Sequence, residues 1–243
     1  MKNFGLIGKS LVHSFSKNYF EEKFKRENIR DSKYDLFELG DISEVIDLIE
    51  KSNLSGLNVT IPFKESIIPF LAEIDATAKE IGAVNTLKIE NNSIKGYNTD
   101  IIGFKKSIRP FLAKEHNRAL ILGTGGASKA IAVALKQYDI PFFFCSTSKQ
   151  GNNIISYSDL NEENIQQFPL IINCTPLGTF PNVEEHPPIP VEGIGKNHLV
   201  FDLIYNPVES KLLSIAKQNG ALNSNGLNML KIQAEESWKI WNE

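Results

Sequence analysis

The chain has 243 residues, 42% of them apolar and 23% charged, with a net charge of −3; this is the make-up of a folded protein with room for two cores. That balance, with no dense Lys/Arg run, excludes a nucleic-acid surface, and no apolar stretch reaches the roughly 20 residues that cross a bilayer. Lys9 interrupts MKNFGLIGKS before the apolar part of a leader could form, so a cytoplasmic protein is expected. Cys145 and Cys174 lie far apart in apolar runs and read as free thiols of a reducing compartment. His13, His116, His186 and His198 have no metal-ligand spacing, so no metal is expected.

In chain order, strand-like and helix-like patterns alternate throughout, which predicts an α/β protein. FGLI (4–7) reads as a strand, followed by a helix over 17–28 and a second strand, YDLFEL (34–39). Asp41 and Glu44 form a capping-box pattern before SEVIDLIEKS. The third strand starts at Leu54, and its alternation of Leu57, Val59, Ile61 and Phe63 with Asn58, Thr60, Pro62 and Lys64 predicts one polar face ending in Lys64. Asp75 caps the short helix ATAKEI, which Gly82 stops. AVNTLKIE and SIKGY, joined at Asn91-Asn92, read as a hairpin, and Asn98 or Thr99 opens a helix towards Arg109.

A second α/β unit starts at RALILGTGGASKAIAVALKQYDIPFFFC (118–145), with further strands at LIINC (170–174) and LVFDLI (199–204). Between these two strands, residues 176–196 hold five of the eleven prolines, which predicts an irregular and mobile segment. SKLLSIAKQNG is a helix, and NMLKIQAEESWKIW is an amphipathic one with Met229, Leu230, Ala234, Trp238 and Trp241 near one face. The boundary between the two domains falls near residue 100, with the last helix returning to the first domain: 1–101 plus 224–243, and 102–223.

Gly123-x-Gly125-Gly126 sits between a buried strand and a helix, where backbone amides can approach a pyrophosphate. An NAD site usually has an acid at the end of the following strand, to hold the ribose 2′-hydroxyl. Here that position reads Cys145-Ser146-Thr147-Ser148-Lys149, which suits a 2′-phosphate and points to NADP, although a polar loop that simply lacks an acid reads the same way. Taken singly, Lys64 would be a solvated lysine, Asp100 a helix-start carboxylate, Ser14 and Ser16 loop hydroxyls, and Gln233 a solvent-facing amide.

Together, VHSFS, GLNVTIPFK, IGAVNT, GYNTD, LGTGGAS, INCTPLG, DLIYNP and GLNMLKIQA resemble the shikimate dehydrogenase family, in order and over essentially the whole chain. The resemblance implies two α/β domains with a cleft between them, an N-terminal substrate domain and a Rossmann-like NADP domain. It further implies NADP-dependent, reversible reduction of 3-dehydroshikimate to shikimate, in chorismate biosynthesis, by a monomer or homodimer. Lys64 would transfer the proton, with Asp100 as its partner. Ser14 and Ser16 would meet the substrate carboxylate, and Asn58, Thr60, Asn85 and Gln233 its hydroxyls, with Tyr205 nearby. The cofactor would lie against Gly123, Gly125, Gly126, Ala127, Thr175 and Gly226, with Ser146, Thr147, Ser148 and Lys149 at the adenosine ribose. Three positions depart from the family pattern. Ser10 and Lys17 stand where prolines are common, and Thr147 stands where an arginine often clamps the 2′-phosphate. A quinate/shikimate dehydrogenase using NAD, or a non-catalytic sensor of NADP or a shikimate-like ligand, remain as alternatives.

Overall fold

The alternating patterns form two six-stranded sheets in a computed structural model that describes every residue except His13, Asn92 and Lys149. The chain divides into two units, Met1–Thr99 with Gln233–Glu243, and Asp100–Ile232.

In the first unit the elements are β1 (Lys2–Gly8), α1 (Ser16–Arg26), β2 (Ser32–Glu38), α2 (Glu44–Ser52), β3 (Leu54–Val59), α3 (Phe63–Ser66), β4 (Glu73–Ile74), α4 (Ala76–Ile81), β5 (Thr86–Glu90) and β6 (Ser93–Tyr97). The sheet order is β2-β1-β3-β5-β6-β4. β1 runs parallel to β2 and β3, whereas β5 is antiparallel to β3 and β6. Local chemistry sets several boundaries. The Asp75 carboxylate accepts from the N–H groups of Thr77 and Ala78 at 2.9 and 3.3 Å, and α4 ends at Gly82 with φ +69°. The capping box is only half formed. Asp41 N–H donates to Glu44 Oε1 at 2.8 Å, but Asp41 accepts from Ser43, which takes the N-cap position. The hairpin turns at Asn91, with φ 50°, and Asn92 lies outside the described residues.

The second unit contains α5 (Asp100–Ile108), β7 (Ala119–Leu122), α6 (Gly126–Lys136), β8 (Phe142–Ser146), β9 (Ile154–Ser156), β10 (Leu170–Asn173), β11 (Leu199–Asp202), α7 (Lys211–Gln218), β12 (Leu222–Asn225) and the start of α8 (Leu227–Asn242). Its sheet is parallel throughout, in the order β12-β11-β10-β7-β8-β9. Numbered within the unit this is 3-2-1-4-5-6, the doubly wound dinucleotide-binding order, which reverses between β7 and β10. Residues 224–232, grouped with the first domain in the sequence reading, cluster with this unit, and β12 pairs with β11.

Each sheet is buried by its own apolar clusters. In the first unit Ile7, Val45, Leu57, Val59, Ile67 and Leu87 pack on one face. On the other, Phe4, Phe20, Phe24 and Tyr34 meet Ala234 and Trp241 from α8. Trp241 stacks on Phe4 with ring centroids 4.7 Å apart and donates from Nε1 to the Leu87 carbonyl at 2.9 Å. In the second unit the proline-rich segment has one 3-10 turn, Val191–Gly193, and is otherwise irregular as expected. It is nevertheless anchored, because Ile189, Val191 and Ile194 are buried in the same cluster as Leu212 and Leu213 of α7. Cys145 and Cys174 are free thiols, the first buried and the second half-buried. No helix among the described residues is long and apolar enough to cross a membrane.

Candidate active site

The polar face expected to run along one strand from Asn58 to Lys64 is a correction. β3 stops at Val59. Pro62 has no N–H for a ladder, and the chain instead tightens: Thr60 N–H donates to the Ile7 carbonyl at 3.0 Å and Phe63 N–H to the Thr60 carbonyl at 2.9 Å. Ile61, placed by the alternation on the apolar face, is 71% exposed. Lys64 therefore rides on α3, half-buried. Its carbonyl accepts from Val84 N–H at 2.8 Å, which pins α3 beside the segment carrying Asn85.

Asn58, Asn85 and Gln233 are all buried, the last against the single-residue expectation of a solvent-facing amide. They join a network that also takes in Tyr34, Thr86, Thr99 and Ser237. The Tyr34 hydroxyl donates to Asn58 Oδ1 at 2.9 Å, and Asn58 Nδ2 donates to Ser237 Oγ at 2.9 Å. The hydroxyls of Ser237 and Thr86 are 2.8 Å apart. Thr99 N–H donates to Asn85 Oδ1 at 2.7 Å, and Asn85 Nδ2 donates to Thr99 Oγ1 at 3.0 Å. Gln233 Oε1 accepts from Thr99 Oγ1 at 3.4 Å. Leaving one such buried group unpaired costs about 1–3 kcal/mol, so the network fixes its members' orientations.

Ser14, Ser16 and Thr60 are half-buried. Ser16 opens α1, and its N–H donates to Ser14 Oγ at 3.3 Å. Burial raises the Tyr34 pKa, while a hydrogen bond with the Ser16 side chain pulls it down. Asp100 follows Thr99 as the first residue of α5 and is buried.

In the second unit the glycine turn lies where the strand order reverses. Gly123 has φ +98°, a conformation that favours glycine. A Cβ there would come within 3.2 Å of Thr175 Cγ2, so the turns after β7 and β10 touch. No side chain caps α6, a Cβ on the exposed Gly125 would meet nothing within 4 Å, and Ser128 Oγ donates to the Gly125 carbonyl at 2.7 Å. The first amides of α6 have no intrahelical acceptor, and Gly126 and Ala127 supply two of them, so the turn fits a pyrophosphate. After β8, Ser146 is buried and accepts from Ser148 N–H at 3.3 Å, while Thr147 and Ser148 are exposed. Hydroxyls without a carboxylate fit a phosphorylated ribose. Lys149 lies outside the described residues.

Thr175 and Tyr205 are half-buried in the turns after β10 and β11. Gly226 is needed for packing, because a Cβ there would overlap the Leu203 carbonyl. Asp202, at the end of β11, is fully buried. Burial pushes its carboxyl up to about 6, against three hydrogen bonds that lower it.

The family model for the shikimate dehydrogenase substrate binding domain matches residues 6–87. A shikimate dehydrogenase (NADP(+)) of Clostridium botulinum is 39% identical, across 98% of this chain and 95% of its own. The chain belongs to the shikimate dehydrogenase family. A solved shikimate dehydrogenase from Peptoclostridium difficile superposes with a TM-score of 0.87 at 36% identity, covering 100% of this chain and 92% of that one. The shikimate 5-dehydrogenase of Thermus thermophilus, solved in complex with NADP(H) and shikimate, gives 0.87 at 25% identity, covering 99% and 93%. The two sheets thus form the shikimate dehydrogenase architecture, a substrate domain joined to a Rossmann-like NADP domain.

Sequence reasoning passed over Tyr34, Thr86, Thr99, Ser237, Asn173 and Asp202 as site residues. Two of these carried a signal. Ser237 follows Gln233 by four residues, on the same face of a helix. Asp202 is an acid closing an apolar strand, which needs a partner when buried.

Proposed function

We propose that this protein catalyses the NADP-dependent, reversible reduction of 3-dehydroshikimate to shikimate, on the route to chorismate and the aromatic amino acids. The observation that carries this reading is 39% identity, over 98% of the chain, to a relative named shikimate dehydrogenase (NADP(+)). NADPH, when bound, supplies the hydride to the ring carbonyl carbon, and NADP+ accepts it in the reverse direction.

Lys64 gives a proton to the carbonyl oxygen during reduction and takes one from the hydroxyl during oxidation. Asp100 partners Lys64 and binds a ring hydroxyl. Thr60, Asn85 and Gln233 hold the remaining hydroxyls, with Tyr205 close by. Asn58 has both amide hydrogens engaged inside the protein and offers the substrate only an Oδ1 lone pair. Ser14 and Ser16 bind the carboxylate. The amides of Gly125, Gly126 and Ala127 hold the pyrophosphate, with Gly123, Thr175 and Gly226 shaping the cofactor's path. Ser146, Thr147, Ser148 and Lys149 receive the 2′-phosphate. The free cysteines support a cytoplasmic enzyme, and we assign it as a monomer or homodimer. Assays of the purified protein with shikimate and quinate, each against NADP+ and NAD+, test the reading. Turnover of quinate with NAD+ alone, or of nothing, would overturn it.

Ser14→Ala and Ser16→Ala should act on substrate affinity and leave turnover at saturation nearly intact, since a carboxylate contact lies far from the reacting carbon. Each lost hydrogen bond to a charged group should cost about 1.5–3 kcal/mol, read as a rise in KM for shikimate. An unchanged KM in the double variant would remove both serines from the site.

Thr147→Arg should tighten NADP+ binding by about tenfold or more, because a guanidinium makes charge-assisted contacts of about 1.5 kcal/mol or better with a phosphate. NAD+ affinity should hardly change, and Lys149→Ala in the parent should weaken NADP+ selectively. Dissociation constants for both cofactors, at one ionic strength, decide whether this loop reads the phosphate.

A further inference from the structure

The carboxyl ends of β10 and β11 are tied together by one fully buried side chain, that of Asp202. Three donors surround it, each from a different stretch of chain. Asn173 Nδ2, at the end of β10, donates to Oδ1 at 2.9 Å. Ile204 N–H, in the turn after β11, donates to the same oxygen at 3.0 Å. Ser210 Oγ donates to Oδ2 at 2.5 Å while capping α7 by accepting from Leu213 N–H at 3.3 Å.

Asn173 passes the constraint onward. Its Oδ1 accepts from Thr175 N–H at 2.9 Å and from Thr175 Oγ1 at 2.7 Å. An ionised carboxylate only accepts, so it holds the Asn173 amide with nitrogen towards Asp202 and oxygen towards Thr175. Without that acceptor the amide loses one of its two restraints, and only the Thr175 donors hold its orientation. On the other side, Ile204 directly precedes Tyr205.

We propose that Asp202 is a positioning residue that fixes Thr175 and Tyr205 relative to one another, by setting the polarity of the Asn173 amide and the path of the turn after β11. This rests on the reading above that Thr175 meets the cofactor and Tyr205 the substrate. Asp202 itself, being fully buried, touches neither.

The test compares Asp202→Leu, Asp202→Asn, Asn173→Ser and Thr175→Val in the full chain. It measures the dissociation constant for NADP+ by calorimetry and the melting temperature without cofactor. Thr175→Val should weaken NADP+ about tenfold, and Asp202→Leu should do the same, with the double variant no weaker than either single. Asp202→Asn keeps one acceptor for Asn173 and Ile204, and the Ser210 hydroxyl can turn to accept from the new NH2, so affinity should return to within about threefold of the parent. A role in stability alone would lower the melting temperature and leave the affinity of folded protein unchanged. Should Asp202→Leu fail to fold, Asn173→Ser cuts the relay while leaving Asp202 two donors, and the same tenfold loss is expected. Parent-like affinity in folded Asp202→Leu or in Asn173→Ser, with Thr175→Val weakened, would overturn the proposal. Parent-like affinity in Thr175→Val would instead overturn the cofactor reading of Thr175, and the proposal with it.

Discussion

Lys64→Ala should lower shikimate turnover by about 10²-fold or more, the low end of what a positioned proton-transfer group contributes. The substitution leaves the local backbone tie in place. Lys64 is held through its backbone carbonyl, which accepts from Val84 N–H at 2.8 Å, and that bond survives loss of the side chain. The side chain is half-buried and lies outside the apolar core, so its loss opens no cavity in that core. Shikimate binding should weaken far less than turnover, because the serine, threonine and amide contacts remain. Steady-state kcat and KM, measured with saturating NADP+, separate the two effects. Near-normal kcat with a raised KM would make Lys64 a ligand rather than the proton carrier.

The largest loss of stability should follow Trp241→Ala. Truncating a buried Trp typically costs about 3–5 kcal/mol. Three features put Trp241 at the upper part of that range: it is almost fully buried, it stacks on Phe4, and its Nε1 is paired with the Leu87 carbonyl. Gly56 completes the seat, since a Cβ there would overlap the indole. The chain has two tryptophans, so in this variant Trp238, edge-on to Phe4 at 5.4 Å, becomes the sole indole reporter of the cluster. Urea unfolding followed by its fluorescence should show a much lower midpoint. Trp241→Phe should restore most of the packing and lose mainly the hydrogen bond. An unshifted midpoint in the alanine variant would mean that the end of α8 adds nothing to the core.

Where the sequence was legible, the controlling chemistry was local. Asp75 and Gly82 bound α4 within a few residues, the asparagine turn fixes the β5–β6 hairpin, and the glycine turn joins β7 to α6. Short strands escaped notice because their partners create them. β4 has two residues and β9 three, too few for a period, and β12 is held by its ladder with β11. The end of β3 was misplaced because the apolar alternation runs on past Val59, although Pro62 cannot extend the ladder. The buried network was the least legible part. Asn58 and Ser237 are 179 residues apart in the chain, and their pairing depends on how α8 packs against the first sheet. The candidate ligands could be drawn from the motifs. The residues that orient them were harder to draw, because Tyr34 and Ser237 lie outside the motifs and Thr86, although inside IGAVNT, meets Ser237 only in the fold.

The return of α8 to the first unit also sets the order in which the protein can be made. Gln233, Ala234 and Trp241 are needed by the first unit, yet a ribosome reaches them only after synthesising all of Asp100–Ile232. Until then the nascent first unit leaves Phe4, Phe20 and Tyr34 without their lid, an oily face for a chaperone to hold. Meanwhile the parallel sheet of the second unit can fold as it emerges. A chain cut short between Gly226 and Gln233 would therefore keep its glycine turn and the strands of its second sheet but lack both the seal on its first core and Gln233. The threading makes the first core depend on residues synthesised after the whole of the second unit.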